Sequence, residues 1–201
     1  MRYRTLACAA VLLLIPRLLV GAAPAEQRGT LPHVVVQTEL GDIEIEVDTA
    51  RAPGTAANFL KYVEAHLYDG GTWHRTVKMD NQPDNQIKIE VIQAGVNPGK
   101  ANDGFPPIPL ERTNKTGIRH KDGAVSMARG APDSATSGFF ICINDQPSLD
   151  FGGMRNADGQ GFAAFGRVVR GMDVVRKIQQ APNTDAQKLT PPVRIIAVTR
   201  R

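Results

Sequence analysis

Few residues in this chain combine the types and spacing that chemistry requires. Four histidines, His33, His66, His74 and His120, are the obvious metal ligands or general bases. His66 and His74 flank a glycine-containing turn and the other two lie far off in the chain, so no zinc-type spacing exists. The segment Asn156-Ala157-Asp158-Gly159-Gln160-Gly161 faintly suggests a calcium loop, but it lacks a closing acid and reads as a glycine-rich turn. Ser126 has no Gly-x-Ser-x-Gly frame, and nothing marks a His/Asp pair to activate it. Asp133 and Asp150 read as hydrogen-bonding loop residues rather than as a catalytic carboxylate pair. Hydrolysis is therefore left without a residue set. What remains is a cation, Arg75, on a predicted strand just after Trp73 and His74. Alone it reads equally well as a solvated strand arginine. Its weight comes from Ile92-Gln93-Ala94-Gly95, Ser126-Met127-Ala128-Arg129 and Phe139-Phe140 elsewhere in the chain.

Those segments belong to short apolar runs. AVSMA (124–128) and GFFICI (138–143) read as two buried strands flanking a polar loop that carries Arg129, an arrangement suited to a groove for an extended peptide. His33–Thr38 and the alternating Asp42–Val47 predict a hairpin with one buried face. Pro53 suits a first helical turn, and Ala56, Phe59, Leu60, Val63 and Leu67 recur at helical spacing, so an amphipathic helix is expected from Pro53 to about His66. Further strands are expected at 72–77, 87–93, 162–169 and 193–198, with a short helix over 172–179. Lys78 to Gln86 reads as a polar loop, and Asn97 to Lys121 as a long loop of candidate function. Seven or eight short strands, two helices and no β-α alternation predict a mainly β domain, a closed antiparallel barrel capped by helices.

At 201 residues the chain can bury one sizeable core, and its 42% hydrophobic and 22% charged content is that of a soluble globular protein. The net charge of +4 invites a polyanion partner until the first 25 residues are inspected. They hold Arg2, Arg4 and Arg17, an apolar run from Leu6 to Ile15, and a small-residue end at Ala23-Pro24-Ala25. This pattern predicts a signal peptide (1–25) ahead of a domain spanning 26–201. Pro16 and Arg17 break the apolar run short of a membrane span. Without the leader, the 24 basic residues fall to 21 against 20 acidic ones, a net charge of +1. Nucleic-acid binding thus loses its main argument and no nucleic-acid partner is expected, nor is stable membrane insertion once the leader is cut. Cys142 then stands alone, expected as a small buried hydrophobe with no internal disulfide.

The order of motifs carries a resemblance. Ala52-Pro53…Asn58-Phe59, Tyr68-Asp69-Gly70…His74-Arg75, Ile92-Gln93-x-Gly95, Gly123-x-x-Ser126-Met127-Ala128-Arg129, Phe139-Phe140-Ile141 and Phe165-Gly166-Arg167-Val168 together resemble the cyclophilins, peptidyl-prolyl cis-trans isomerases, with the bacterial secreted branch nearest. The match runs from His33 to Val198. It implies an eight-stranded barrel capped by two helices, no cofactor, and proline-containing polypeptides as partners. The expected protein is a periplasmic or secreted monomer that assists the folding of exported chains.

By the same resemblance, Arg75 matches the catalytic arginine and Gln93 the substrate-orienting glutamine. Met127-Ala128-Arg129 matches the backbone-contact strand and Phe140 the floor of the proline pocket, with Val91, Leu149 and Phe162 in its wall. The sequence also departs from the family pattern. The loop from Lys78 to Lys88 is longer. Glu90 is placed where an aromatic pocket residue is common, and Val91 where methionine is usual. Gly138 replaces a glutamine, Ser148 an aromatic residue, and Phe162 a histidine or tyrosine. Two other classes fit the same barrel: a peptide-binding module without catalysis, and a holdase using the Asn97–Lys121 loop as a contact surface.

Overall fold

The computed structural model describes residues 30–184 and 186–201, so the expected leader lies outside the described residues. Nine strands form one antiparallel sheet. They are β1 (His33–Thr38), β2 (Gly41–Val47), β3 (Thr72–Val77), β4 (Val91–Gly95), β5 (Ala124–Met127), β6 (Phe139–Cys142), β7 (Ala163–Arg170), β8 (Asn183–Thr184) and β9 (Lys188–Arg200). The order β1-β2-β7-β5-β6-β4-β3-β9 closes by a β1–β9 ladder, which makes an eight-stranded barrel. The two-residue β8 pairs only with β9, as an accessory hairpin. Helices α1 (Pro53–Glu64) and α3 (Met172–Gln180) both place apolar side chains in the barrel core, Phe59 and Val63 from one, Val175 and Ile178 from the other. A single-turn helix, α2 (Thr113–Thr116), lies in the long connection between β4 and β5.

Alternation explains how the barrel fills. Ile43, Ile45 and Val47 of β2 are fully buried while Asp42, Glu44 and Glu46 face outward. Phe59 sits at the centre of an aromatic set, with ring centroids 5.0–5.6 Å from Phe165, Phe139 and Tyr68. The N-terminus of α1 lacks a local side-chain cap. Glu111 supplies one from a distance, its carboxylate accepting from the Gly54 and Thr55 N–H groups at 3.1 and 2.7 Å.

Two expectations need correction, and the long connection gains detail. The strand expected at 87–93 begins only at Val91, because the backbone N–H and C=O of Ile89 are paired with the buried side chain of Gln82 and not with a ladder. The last strand runs well beyond 193–198. Pro191 and Pro192 are tolerated because they fall where the β3–β9 ladder is interrupted, between its Trp73↔Val193 and Arg75↔Lys188 pairs. The Asn97–Lys121 connection is strapped down. Phe105 N–H donates to the Tyr62 hydroxyl at 2.8 Å, Leu110 N–H to Asp133 at 2.7 Å, and Ile108 pairs with Ala135.

Candidate active site

The same alternation creates a second apolar face on the outside of the barrel. On β6, Phe139 and Ile141 point into the core, whereas Phe140 and Cys142 join a separate cluster with Val77, Ile89, Val91, Ala124 and Leu149. Phe162 and Ala128 pack against that cluster from its rim. Strand register then lines up one row across four strands. Arg75 of β3 pairs with Gln93 of β4, Gln93 with Phe140 of β6, and Phe140 with Ser126 of β5. Directly opposed residues in antiparallel strands share a face about 5 Å apart. A cation, an amide and an apolar platform therefore stand side by side.

The Arg75 guanidinium is held by two amides. Its Nη1 donates to Gln93 Oε1 at 2.9 Å, and its Nε and Nη2 both donate to Gln187 Oε1, at 2.9 and 2.6 Å. Five N–H donors are available on a guanidinium. Two remain without a protein acceptor among the described residues. Burial, aided by the nearby charge of Arg155, pulls the Arg75 pKa below its ordinary value, yet a guanidinium stays cationic throughout the physiological range. No carboxylate pairs with Arg75 among the described residues.

Two rings support Phe140. The Phe162 ring meets it edge-on, with centroids 5.4 Å apart and planes at 90°. His120 stacks against it at 6.0 Å and 14°. Arg129 presses on Phe162 in turn, its guanidinium carbon 5.1 Å from the ring centroid. The Arg129 side chain is only 1% exposed, because Asp158 clamps it bidentately at 2.8 and 2.9 Å and Gly161 O accepts from its Nε. Hydrogen bonds from Arg129 and from the Gln160 N–H hold the Asp158 pKa down at about 2. Gly161 closes this loop onto Leu149–Asp150 at a positive φ of 66°, where a Cβ would meet the Asp150 backbone.

The residues expected at the site divide into those that gather in the outer cluster and those that point elsewhere. Val91, Phe140, Leu149 and Phe162 gather in the outer cluster and Ala128 borders it. The Met127 side chain points into the barrel core, and its backbone stands in register with Phe139 of β6 and Ala163 of β7. Arg129 is part of the wall and no free cation. Glu90 is outside the pocket altogether. Its carboxylate accepts from Asn144 and Gln179 at 2.8 and 3.3 Å, while Ile89 and Val91 on either side face the cluster.

Ser126 also departs from expectation, because it does have a His/Asp pair. Asp150 Oδ1 accepts from His120 Nδ1 at 2.8 Å, and His120 Nε2 lies 3.0 Å from Ser126 Oγ. The carboxylate can only accept, so Nδ1 donates to it, and in the neutral ring Nε2 is then the acceptor for the hydroxyl. The order resembles a hydrolytic triad, but Ser126 is 0% and His120 1% exposed, sealed beneath Phe140. No substrate carbonyl reaches the hydroxyl, and the chain serves as a polar footing for the platform.

Two further residues carry no motif and were not singled out. Gln187 clamps Arg75 from 112 residues away. Arg155 spans two loops, its N–H donating to Ser148 O at 3.2 Å and its Nη1 to Ile87 O at 2.6 Å. Cys142 is buried as expected, and burial, with nearby Asp150, Asp122 and Asp145, raises its thiol pKa well above the usual value.

Comparison with known proteins matches this geometry to a family. Residues 33–200 fit the family model for cyclophilin type peptidyl-prolyl cis-trans isomerases. The chain is 36% identical over 159 residues to peptidyl-prolyl cis-trans isomerase A of Dickeya dadantii, covering 79% of this chain and 76% of that protein. It is 37% identical over 148 residues to isomerase B of Escherichia coli, covering 73% and 83%. Among solved structures, a Cryptosporidium parvum cyclophilin determined in the presence of the dipeptide Ala-Pro superposes with a TM-score of 0.68 at 20% identity, over 84% of this chain and 98% of that one. On the family match across its whole described barrel, the chain belongs to the cyclophilin-type peptidyl-prolyl cis-trans isomerases.

Proposed function

We propose that this isomerase turns X-Pro bonds in exported polypeptides, as a periplasmic or secreted monomer released by cleavage of its leader, and that Arg75 is its catalytic residue. The observation that carries the site assignment is the row Arg75–Gln93–Phe140 on one outer face of the barrel. The export assignment rests on the basic, then apolar, then small-residue pattern of residues 1–25.

The reaction needs neither nucleophile nor proton relay. Rotation about an X-Pro bond is slow because resonance gives the C–N bond partial double-bond character and a barrier of ~18–20 kcal/mol. Halfway through rotation that resonance is lost. The prolyl nitrogen becomes pyramidal and its lone pair becomes a hydrogen-bond acceptor that the planar ground state lacks. A donor aimed at the nitrogen therefore stabilises the twisted state selectively. The proline ring would rest on Phe140 between Leu149, Val91 and Phe162, with the free N–H donors of Arg75 beside it. Gln93, two residues before Gly95 and fixed by its bond to Nη1, would orient the preceding carbonyl. The partly buried site strengthens these interactions relative to water.

The test is isomerisation of a short Ala-Pro peptide by the purified mature protein, expected to be accelerated. Binding of the peptide without acceleration would show a binding module instead. Suppressed aggregation of a proline-free client, indifferent to Arg75→Ala, would show a holdase.

A further inference from the structure

We propose that Gln187 is the positioning residue for Arg75, and that it must be an amide and not a carboxylate for the site to work. The inference rests on the catalytic role proposed for Arg75. Gln187 leads into β9, and the next residue, Lys188, is the register partner of Arg75. Its backbone O accepts from Thr76 N–H at 2.8 Å, so the residue is tied to β3 by its main chain as well as by its side chain. One oxygen, Oε1, receives both Nε and Nη2 of Arg75. Gln93 takes Nη1 on the far side. The two amides thus fix the plane of the fork and leave one N–H on each terminal nitrogen pointing away from them.

The longer 78–88 segment gains a purpose from this arrangement. Gln187 Nε2 donates to Asn81 O at 3.2 Å. Asn81 is buried, and its side chain is fully engaged. It accepts from Lys78 N–H at 2.7 Å and donates to Thr76 O and Ala186 O at 3.1 and 2.8 Å. The segment therefore staples the end of β3 to the hairpin that presents Gln187. What departs from the family pattern in length is the bracket that holds the arginine's holder.

The choice of side chain has a chemical reason. A carboxylate of the same size would reach the same two N–H groups and form a strong bidentate ion pair. It would hold the fork equally well but offset the positive charge that must act on the prolyl nitrogen. Neutral amides on both sides orient the guanidinium and leave its charge available.

The experiment compares Gln187→Ala, Gln187→Glu and Arg75→Ala in the mature protein, reading kcat, KM and melting temperature with an Ala-Pro peptide, and the Arg75 Nε–H signal by NMR. Gln187→Ala is expected to lower kcat about ten- to hundredfold, corresponding to ~1.4 kcal/mol per tenfold, with KM within about threefold. Its Arg75 Nε–H signal should lose protection from solvent exchange. Gln187→Glu should melt at or above the wild-type temperature yet lose kcat at least tenfold, on the order expected for a charge offset. A merely structural glutamine would instead leave Gln187→Glu as active as it is stable. If Arg75→Ala is inactive while both Gln187 variants keep kcat within about twofold, the inference is wrong and the role of Arg75 stands. If Arg75→Ala keeps the rate, both are overturned.

Discussion

The buried chain Ser126–His120–Asp150 gives a prediction separable from catalysis. Asp150 Oδ1 accepts from both the backbone N–H and the Nδ1–H of His120, at 3.1 and 2.8 Å. Asp150→Ala strands both donors in the interior. Each orphaned buried group costs roughly 1–3 kcal/mol, so the variant should lose about 2–6 kcal/mol. For a domain of this size each kcal/mol shifts melting by about 2–4 °C, which predicts a fall of roughly 4–24 °C. Asp150→Asn keeps an acceptor oxygen and should lose about 1 kcal/mol or less at neutral pH. The pH dependence follows from the shift of Asp150. Burial pushes its pKa up, but hydrogen bonds from the His120 side chain and backbone outweigh that, and the net value lies below the ordinary one. Its ionised form thus stabilises the fold above the unfolded pKa of ~3.9, and that stabilisation is lost as pH falls through the lower folded value. The gap between wild type and Asp150→Asn should therefore close on acidification below about pH 4. Urea titrations from pH 2.5 to 7, with thermal melts alongside, measure both effects. An Asp150→Ala protein melting within about a degree of wild type would refute the footing argument, and so would a gap that widens in acid.

Three other outcomes are expected. Gly138→Gln has room, since a Cβ there meets Ala128 Cβ at 3.5 Å, Ala94 O at 3.8 Å and Gln93 Nε2 at 4.0 Å, all ordinary contacts, and its side chain would lie beside Gln93; one added hydrogen bond worth ~0.5–1.5 kcal/mol should raise kcat/KM about two- to twelvefold in the peptide assay. Asp158→Ala should release Arg129 from the Phe162 wall and raise KM with little change in kcat, whereas acid should open the wild-type clamp only near pH 2, because ionised Asp158 persists down to about that value. Cys142 should resist iodoacetamide in the native protein and react after denaturation, as peptide mapping would show, because burial keeps it a thiol.

How much of this was legible in the sequence depends on how local each signal is. Strand alternation displays Ile43, Ile45 and Val47, and helical spacing displays Phe59 and Val63, because each reports a burial pattern within one element. Arg75, Gln93 and Phe140 were found through ordered motifs, and pairwise strand register then put them in one row. Glu90 matches a pocket position in the family pattern, yet its neighbours Ile89 and Val91 face the outer apolar cluster and Glu90 turns away to Asn144, since one residue of offset flips a side chain to the other face. The polar segment 78–86 looked like simple loop, yet its Asn81 and Gln82 are buried amides substituting for a ladder. Gln187 and the His120–Asp150 pair had no signal at all. Each depends on side chains brought together from 30 to 112 residues apart, and no period or motif encodes such a meeting.

The central claim is that the Arg75 guanidinium, oriented on the Phe140 row, supplies the stabilisation of the twisted prolyl bond. Its most direct test is kcat/KM of Arg75→Ala on an Ala-Pro peptide, with peptide affinity and melting temperature measured on the same sample. Loss of one such preorganised donor is worth roughly 10²–10³ in rate, so a fall of that size is predicted with folding intact and affinity changed by less than about tenfold. Retention of the rate within about threefold would contradict the account.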